Sequence, residues 1–303
     1  MMNEISNKWI GKNTIRPDGA DKVTGRAEYA ADTTMPGMIW GKVLRSPHPH
    51  AIIKSIDTKK AESLEGVHAI ATSKDFVDFP VDTPVILGIQ DIRWMARNVL
   101  AKEKALFHGH PIAAVAAKTE EIAQKACNLI QVEYEVLPWA IEIDDAIKTD
   151  APILHDFITF DGKPSNIAGT LEHKKGDIEK GFNEADVVIE KNFDTAAIHQ
   201  GYLETHACLV SVAPDNKTVI WSSSQGQFMV RAMTSFITGI PQSDIRAIPA
   251  EIGGGFGGKT IVYLEPVATI LSQKSGRPVK MVMTREEVMR ATGPTSASKS
   301  TVK

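Results

Sequence analysis

Gly253-Gly254-Gly255-Phe256-Gly257-Gly258-Lys259-Thr260 is the stretch on which the reading of this chain turns. Five glycines around one aromatic make a loop whose backbone can turn sharply and lie against a bulky group, because glycine lacks a Cβ and tolerates positive φ. The same string fits G-x-x-x-x-G-K-[ST], the loop that cradles phosphates in nucleoside triphosphatases. That loop needs a strand before it, a helix after it, and later parallel strands that supply a metal-binding Asp. Residues 244–252 read as the strand and 261–274 as the helix, with Ile261, Leu264, Ala268 and Leu271 on one face. The third condition fails. About 43 residues follow Thr260, and their one apolar strand, 279–283, runs into Thr284 and Arg285 rather than an Asp. A nucleotide-binding loop is therefore one alternative, and a glycine turn with only a packing role is another.

The 303 residues fit two domains, and a hydrophobic content of 43% is that of a well-cored globular protein. A net charge of -3 and no run of Lys/Arg among aromatics exclude nucleic acid as an expected partner. The first eight residues carry charge where a signal peptide needs an apolar core, and no stretch is long and apolar enough to span a bilayer. A soluble, cytoplasmic protein without membrane contact is expected. Cys127 and Cys208 are too few for a four-thiolate iron-sulfur cluster and read as buried free thiols.

Along the chain, strands are expected at 38–44, 50–56 and 67–72, with a short helix at 59–64. A loop-rich stretch covers 79–97. Residues 111–117 form an apolar strand, Thr119 caps a helix facing inward with Ile122, Ala126, Leu129 and Ile130, and 132–136 alternates as a strand. The acidic segment 141–152 is a linker. Beyond it come a helix at 177–184, strands at 187–193, 207–212 and 218–222, and a helix at 228–237 with Phe228, Ala232 and Phe236 on one face. The polar tail 295–303 does not resemble the close of a core, so the chain is expected to stop inside a domain.

Gln225 ends the strand 218–222 just before a helix, where open α/β architectures place ligand contacts, although a capping role is as ordinary. Residues 199–206 gather two imidazoles, a phenol and Glu204, whose acid is expected to be buried and paired rather than metal-bound. The pairs His48/His50 and His108/His110 lack a third ligand and read as structural. Glu286 and Glu287 read as solvated on a surface helix.

Together, the loop 253–259, Gln225 within Ser222-Ser223-Ser224-Gln225-Gly226, and Tyr202-Leu203-Glu204 resemble the molybdopterin-binding large subunit of the xanthine dehydrogenase and aldehyde oxidase family. Asp21-Lys22-Val23-Thr24-Gly25-Arg26-Ala27-Glu28-Tyr29 and Leu44-Arg45-Ser46-Pro47-His48-Pro49-His50-Ala51 are similar to that family's α/β-hammerhead domain. The resemblance implies an α+β fold. It places a tail at 1–14, a hammerhead domain at 15–140, the linker at 141–152, and the first, incomplete part of a molybdopterin-binding domain at 153–303.

It further implies a molybdenum hydroxylase that oxidises an aldehyde or N-heterocycle with water as oxygen source. The cofactor would be molybdenum-molybdopterin or its cytosine dinucleotide. Gln225 would hydrogen-bond a molybdenum oxo ligand, Phe256 would lie against the metal centre, and Gly226, Gly255, Gly257 and Gly258 would border the cofactor. On this reading the glycines are there because the metal's ligand sphere and the pterin leave no room for side chains. Purine-oxidising relatives typically carry a substrate-binding glutamate where Thr260 stands, so xanthine is not the expected substrate. The family's base glutamate lies beyond this chain, which is expected to be inactive alone and to need the C-terminal half of the subunit, an iron-sulfur subunit and an FAD subunit. A non-catalytic scaffold is the remaining alternative.

Overall fold

In the computed structural model, which describes residues 7–79, 92–156, 158–160 and 162–303, helices and strands are interleaved throughout. Helix α1 (Gly19–Thr24) precedes β1 (Ile39–Arg45), β2 (Ala51–Asp57), α2 (Lys59–Glu62) and β3 (Val67–Thr72). Next come α3 (Ile92–Val99), β4 (Lys104–Ala105), β5 (Pro111–Ala117), α4 (Glu120–Leu129) and β6 (Gln131–Val136). A middle segment holds α5 (Ile143–Ala146), the short pair β7 (Thr159–Phe160) and β8 (Lys163–Pro164), α6 (Ile178–Asn183) and β9 (Lys191–Thr195). The rest is β10 (Ala207–Val212), β11 (Thr218–Ser222), α7 (Gln227–Thr238), β12 (Ile245–Pro249), α8 (Glu265–Ser275), β13 (Val279–Val282), α9 (Arg285–Ala291) and β14 (Ser298–Val302).

One sheet runs β12-β11-β10-β13-β1-β5-β3, parallel at β11/β12 and β1/β13 and antiparallel elsewhere. The β1/β13 pairing joins the N-terminal and C-terminal segments by backbone hydrogen bonds. Both faces of this sheet are covered. Strand β5 is buried along its whole length, and its period of two divides it: Ala114 and Ala116 join the core under α7 and α8, while Ala113 and Val115 join the one under α2 and α4. Thr119 caps α4 by accepting from the Ile122 amide, as its position predicts. A smaller sheet, β4-β2-β6, packs Ile53, Ile56, Val132 and Tyr134 over Ile112.

Several expectations are corrected. The stretch expected to be a loop is helical from Ile92 to Val99; its residues 80–91 lie outside the described ones. In α7 the buried residues are Val230, Met233, Thr234 and Ile237, at i, i+3, i+4 and i+7, whereas Phe228 is 84% exposed. Ranking aromatics above the full pattern put the wrong face inward. Strand β12 ends at Pro249, which cannot donate to a ladder, instead of running on to 252. The strand expected at 187–193 starts only at Lys191, and the polar tail pairs with it as β14, making a two-stranded ribbon exposed on both faces. Glu287 is not solvated: it closes a capping box with Thr284 and meets the Arg45 guanidinium at 3.0 Å.

Candidate functional site

Strands β11 and β12 are parallel neighbours joined through α7, so their carboxyl ends open on the same side, where a parallel unit concentrates ligand contacts. The chain leaves β11 at Ser222 and enters α7 at Gln227, with Gln225 in the turn. It leaves β12 at Pro249 and reaches α8 only at Glu265, and the glycine loop fills the interval. The two turns are bonded to each other. Gln225 N donates to Lys259 O at 2.9 Å, and Ser224 Oγ donates to the same carbonyl at 3.1 Å. In return Gln225 Oε1 accepts from the amides of Gly257 at 2.9 Å and Lys259 at 3.2 Å. Two backbone donors fix which carboxamide atom faces the loop: it must be oxygen, so the NH2 is turned the other way with its donors. Gly226 is extended at the N-cap of α7, its amide held by Ser224 Oγ at 3.1 Å.

Four of the five glycines are required by contacts within the chain, and the fifth by its backbone conformation. A Cβ on Gly255 would sit 2.5 Å from Gln225 Oε1, one on Gly253 2.6 Å from Glu204 Cβ, one on Gly254 3.0 Å from Tyr202 Cβ, and one on Gly258 2.7 Å from Tyr202 Cε1. Gly257 differs: its φ is +90°, and a Cβ there would meet nothing within 4 Å. Side chains at 253, 254, 255 and 258 are thus already excluded by the chain's own Glu204, Tyr202 and Gln225. Between these glycines Phe256 is held at φ 48° and left 75% exposed. Positive φ is an outlier for a bulky residue, so the loop's own contacts must hold it there. Thr260 is exposed and donates to Gly257 O at 2.9 Å.

Behind the loop is a buried ion pair. Glu204 Oε2 lies 2.6 Å from Lys259 Nζ and accepts from Gly253 N at 2.8 Å, while Glu204 N donates to Gly253 O at 3.1 Å. The Lys259 side chain has no exposed surface, and burial lowers its pKa against the pull of Glu204. The expected pairing of Glu204 is therefore present. It also removes the phosphate-loop reading: Lys259 points inward, and Glu265 rather than Ile261 begins the helix, so loop and helix N-terminus are not contiguous.

Tyr202 supports the same loop from below. Its hydroxyl lies 2.7 Å from His206 Nε2 and 2.8 Å from Thr292 Oγ1, and Thr292 Oγ1 is 3.1 Å from His199 Nε2. Since His199 Nδ1 accepts from Gly201 N at 3.0 Å, Nε2 carries the proton and donates to Thr292. Burial pushes the His206 pKa down to about 3 and the Tyr202 phenol up. Arg285 Nη1 donates to Tyr202 O at 2.8 Å, fixing the backbone from which Tyr202 and Glu204 project. Thr292 and Arg285 carried no local signal; they arrive from α9 and its end, about 90 residues away in sequence.

Three of the four paired histidines have structural partners. His50 Nδ1 is 2.7 Å from Pro138 O, His48 stacks edge-on to Tyr134, and His110, 0% exposed, sits between Leu106 N and Arg97 O with its pKa pushed to about 4 by burial. Among the described residues no three His, Cys, Asp or Glu side chains form a metal cluster. Both thiols are free and buried.

Residues 159–303 match the molybdopterin cofactor-binding domain, and residues 24–138 match the a/b hammerhead domain of aldehyde oxidase and xanthine dehydrogenase. The chain belongs to this family of molybdopterin-binding large subunits. It is 39% identical over 277 residues to a probable xanthine dehydrogenase subunit of Bacillus subtilis, covering 91% of this chain and 35% of that protein. It is 31% identical to the nicotinate dehydrogenase large molybdopterin subunit of Eubacterium barkeri, covering 92% and 62%. The aldehyde oxidoreductase of Desulfovibrio desulfuricans superposes with a TM-score of 0.82 at 27% identity, over 96% of this chain and 32% of that one. The chain thus spans about a third of the length of most of the relatives quoted, taking in their hammerhead module and part of their molybdopterin-binding domain. No described helix is long and apolar enough to cross a membrane.

Proposed function

We propose that this chain supplies one wall of the cofactor site of a molybdenum hydroxylase acting on an aldehyde or N-heterocycle. The observation that carries the reading is the locked carboxamide of Gln225, whose oxygen is bound by Gly257 and Lys259 so that only its NH2 is offered outward. That donor, the exposed ring of Phe256 and the open side of Gly257 fit a bulky group rich in oxygen acceptors. When bound, molybdopterin supplies the two-electron oxidation, with water as the oxygen source.

In this role Gln225 donates an N–H to an oxygen acceptor of the cofactor, Phe256 excludes water from one side, and Gly226, Gly255 and Gly258 keep the two turns in contact. Gly257 is where the backbone approaches the cofactor most closely. Thr260 borders the substrate with an uncharged side chain, which favours neutral substrates over those needing a carboxylate partner at that point. The cofactor is molybdopterin itself or its cytosine dinucleotide. No residue of this chain takes the role of the base.

The remainder of the large subunit, on the same or a separate polypeptide, covers Phe193 and Val302 on the β9/β14 ribbon and Val187, Val188 and Ile189 just before it, each at least 46% exposed. A two-stranded ribbon does not hold alone, which supports completion by further strands. Iron-sulfur and FAD subunits accept the electrons, and the assembly works in the cytoplasm. Co-producing the chain with the remainder of the subunit and measuring molybdenum and pterin tests the reading. Stoichiometric metal in the assembled protein, reduced in Gln225→Ala and absent from the chain alone, is the expected result. An assembled protein that retains no molybdenum refutes it and favours a scaffold.

A further inference from the structure

Helix α9 touches both modules of the chain. Toward the glycine loop, Arg285 donates from Nη1 to Tyr202 O at 2.8 Å and from Nη2 to Leu203 O, and Thr292, the C-cap of the helix, meets the Tyr202 hydroxyl at 2.8 Å. The proton positions follow from the partners. Thr292 Oγ1 donates to Val288 O at 2.8 Å and accepts from His199 Nε2, so the Tyr202 hydroxyl is the donor in its bond to Thr292, and His206 Nε2 is the donor to Tyr202. Tyr202 is thereby held at its main chain and at its hydroxyl, both times by α9. Its side chain in turn shapes the loop, since a Cβ on Gly254 or Gly258 would lie 3.0 or 2.7 Å from it.

The hammerhead module seats that helix at both ends. Arg45, the last residue of β1, has a side chain 11% exposed that donates from Nε to Glu287 Oε1 at 3.0 Å and from Nη1 to Gly109 O at 3.3 Å. The other Glu287 oxygen accepts from Thr284 N at 2.8 Å, so one carboxylate closes the first turn of α9 and ties it to β1. At the far end of the helix Gly109 packs so closely that a Cβ there would lie 2.8 Å from Arg290 Cβ. The 109 turn is fixed to the end of β1 in its own right: Gly109 N donates to Ser46 O and Ser46 N to His110 O, each at 2.8 Å. We propose that Arg45 is a positioning residue for the wall formed by Gln225 and the glycine loop: its grip on Glu287 and Gly109 sets where α9 lies, and α9 sets Tyr202 and the loop. Its part in cofactor binding rests on the proposed function, whereas the tie is a property of the chain alone.

NMR spectra of the full chain read the tie at the Gln225 side-chain NH2, whose signals are identified by their loss in Gln225→Ala. Arg45→Met is expected to displace them and to lower the urea midpoint, because the Glu287 carboxylate loses its partner. Arg45→Met/Glu287→Gln leaves no unpaired charge and keeps an acceptor for Thr284 N, so the midpoint should recover while the signals stay displaced. That split separates placement of the loop from loss of stability. Lys42→Met breaks another pair of β1, Lys42 Nζ to Glu120 Oε1 at 2.6 Å, whose acid lies on α4; it should destabilise without moving the Gln225 signals. Signals at their native positions in either Arg45 variant, or displaced as far by Lys42→Met, overturn the proposal. Should Arg45→Met fail to fold, the double variant decides. Molybdenum in the co-produced assembly is expected to fall in the double variant, and unchanged content beside displaced signals also overturns the proposal. An assembly that retains no molybdenum with Arg45 in place refutes the cofactor reading and leaves the tie standing.

Discussion

Lys259→Met separates the two uses that a lysine after a glycine loop can have. In the structure Lys259 Nζ is enclosed, 2.6 Å from Glu204 Oε2 and 5.0 Å from the centre of the Tyr202 ring. Removing the ammonium leaves a carboxylate that is 11% exposed, with one oxygen, Oε1, already without a partner and the other bonded only to Gly253 N. Breaking a buried pair in this way costs about 3–5 kcal/mol, because the remaining charge is uncompensated. With a urea m-value of about 3 kcal/mol per M, the unfolding midpoint should fall by about 1–1.7 M. Glu204→Gln alone should also destabilise, since a neutral carboxamide can accept from the buried ammonium but no longer compensates its charge. The double variant Glu204→Gln/Lys259→Met buries no charge and keeps an acceptor for Gly253 N, so it should be more stable than the two losses added. Urea unfolding followed by tryptophan emission measures all four proteins. A Lys259→Met midpoint within about 0.3 M of the unmodified chain, equivalent to about 1 kcal/mol, would refute the argument. A phosphate-binding lysine would give that null result together with loss of nucleotide binding.

Acid should unfold the protein early. His206 and His110 have folded pKa values of about 3 and about 4, both depressed by burial, against an ordinary 6.5. The unfolded chain therefore binds protons first as pH falls below 6.5, and the stability present above that value is lost between 6.5 and about 3–4. The loss is about 2 kcal/mol per histidine at pH 5; urea midpoints flat from pH 7 to 5 would contradict it. Gly255→Ala forces a methyl to within 2.5 Å of Gln225 Oε1 and should cost about 1–3 kcal/mol while displacing the Gln225 side-chain amide signals in NMR spectra. Unmoved signals would mean that the carboxamide is not docked on the loop. Cys127, its pKa pushed up to about 12, and Cys208, fully buried, should resist a thiol reagent in the native state and react once the chain is unfolded; rapid native labelling would contradict their burial.

The parts of the fold that were legible are those in which a local pattern decides the outcome. The apolar run of β5, the Thr119 cap and the parallel-sheet strand before Gln225 needed no knowledge of distant residues. In α7 the information was present but misread: Val230, Met233, Thr234 and Ile237 have helical spacing, and the two exposed phenylalanines drew the face to the wrong side. The pairing of β9 with β14 links residues 191–195 to 298–302 through polar side chains, and no hydrophobic alternation announced it. Nor did the sequence reveal that β13 would pair with β1 and so unite the two segments in one sheet.

The site shows the same division more sharply. That Glu204 would be buried and paired follows from the cost of an isolated charge, but the identity of its partner, 55 residues away, depends on how the loop closes. The glycines were conspicuous and their purpose was not. Each of 253, 254, 255 and 258 is held Cβ-free by Glu204, Gln225 or Tyr202, residues of this chain that also fix the loop's amides. A loop shaped by internal contacts has its geometry before any ligand arrives, and Gln225 has its donors oriented for the same reason. Pre-organisation of this kind means that little orienting entropy is lost when a cofactor binds. All five glycines then belong to the folding problem: four because a Cβ would meet Glu204, Gln225 or Tyr202, and Gly257 because its φ of +90° is one that L side chains rarely adopt.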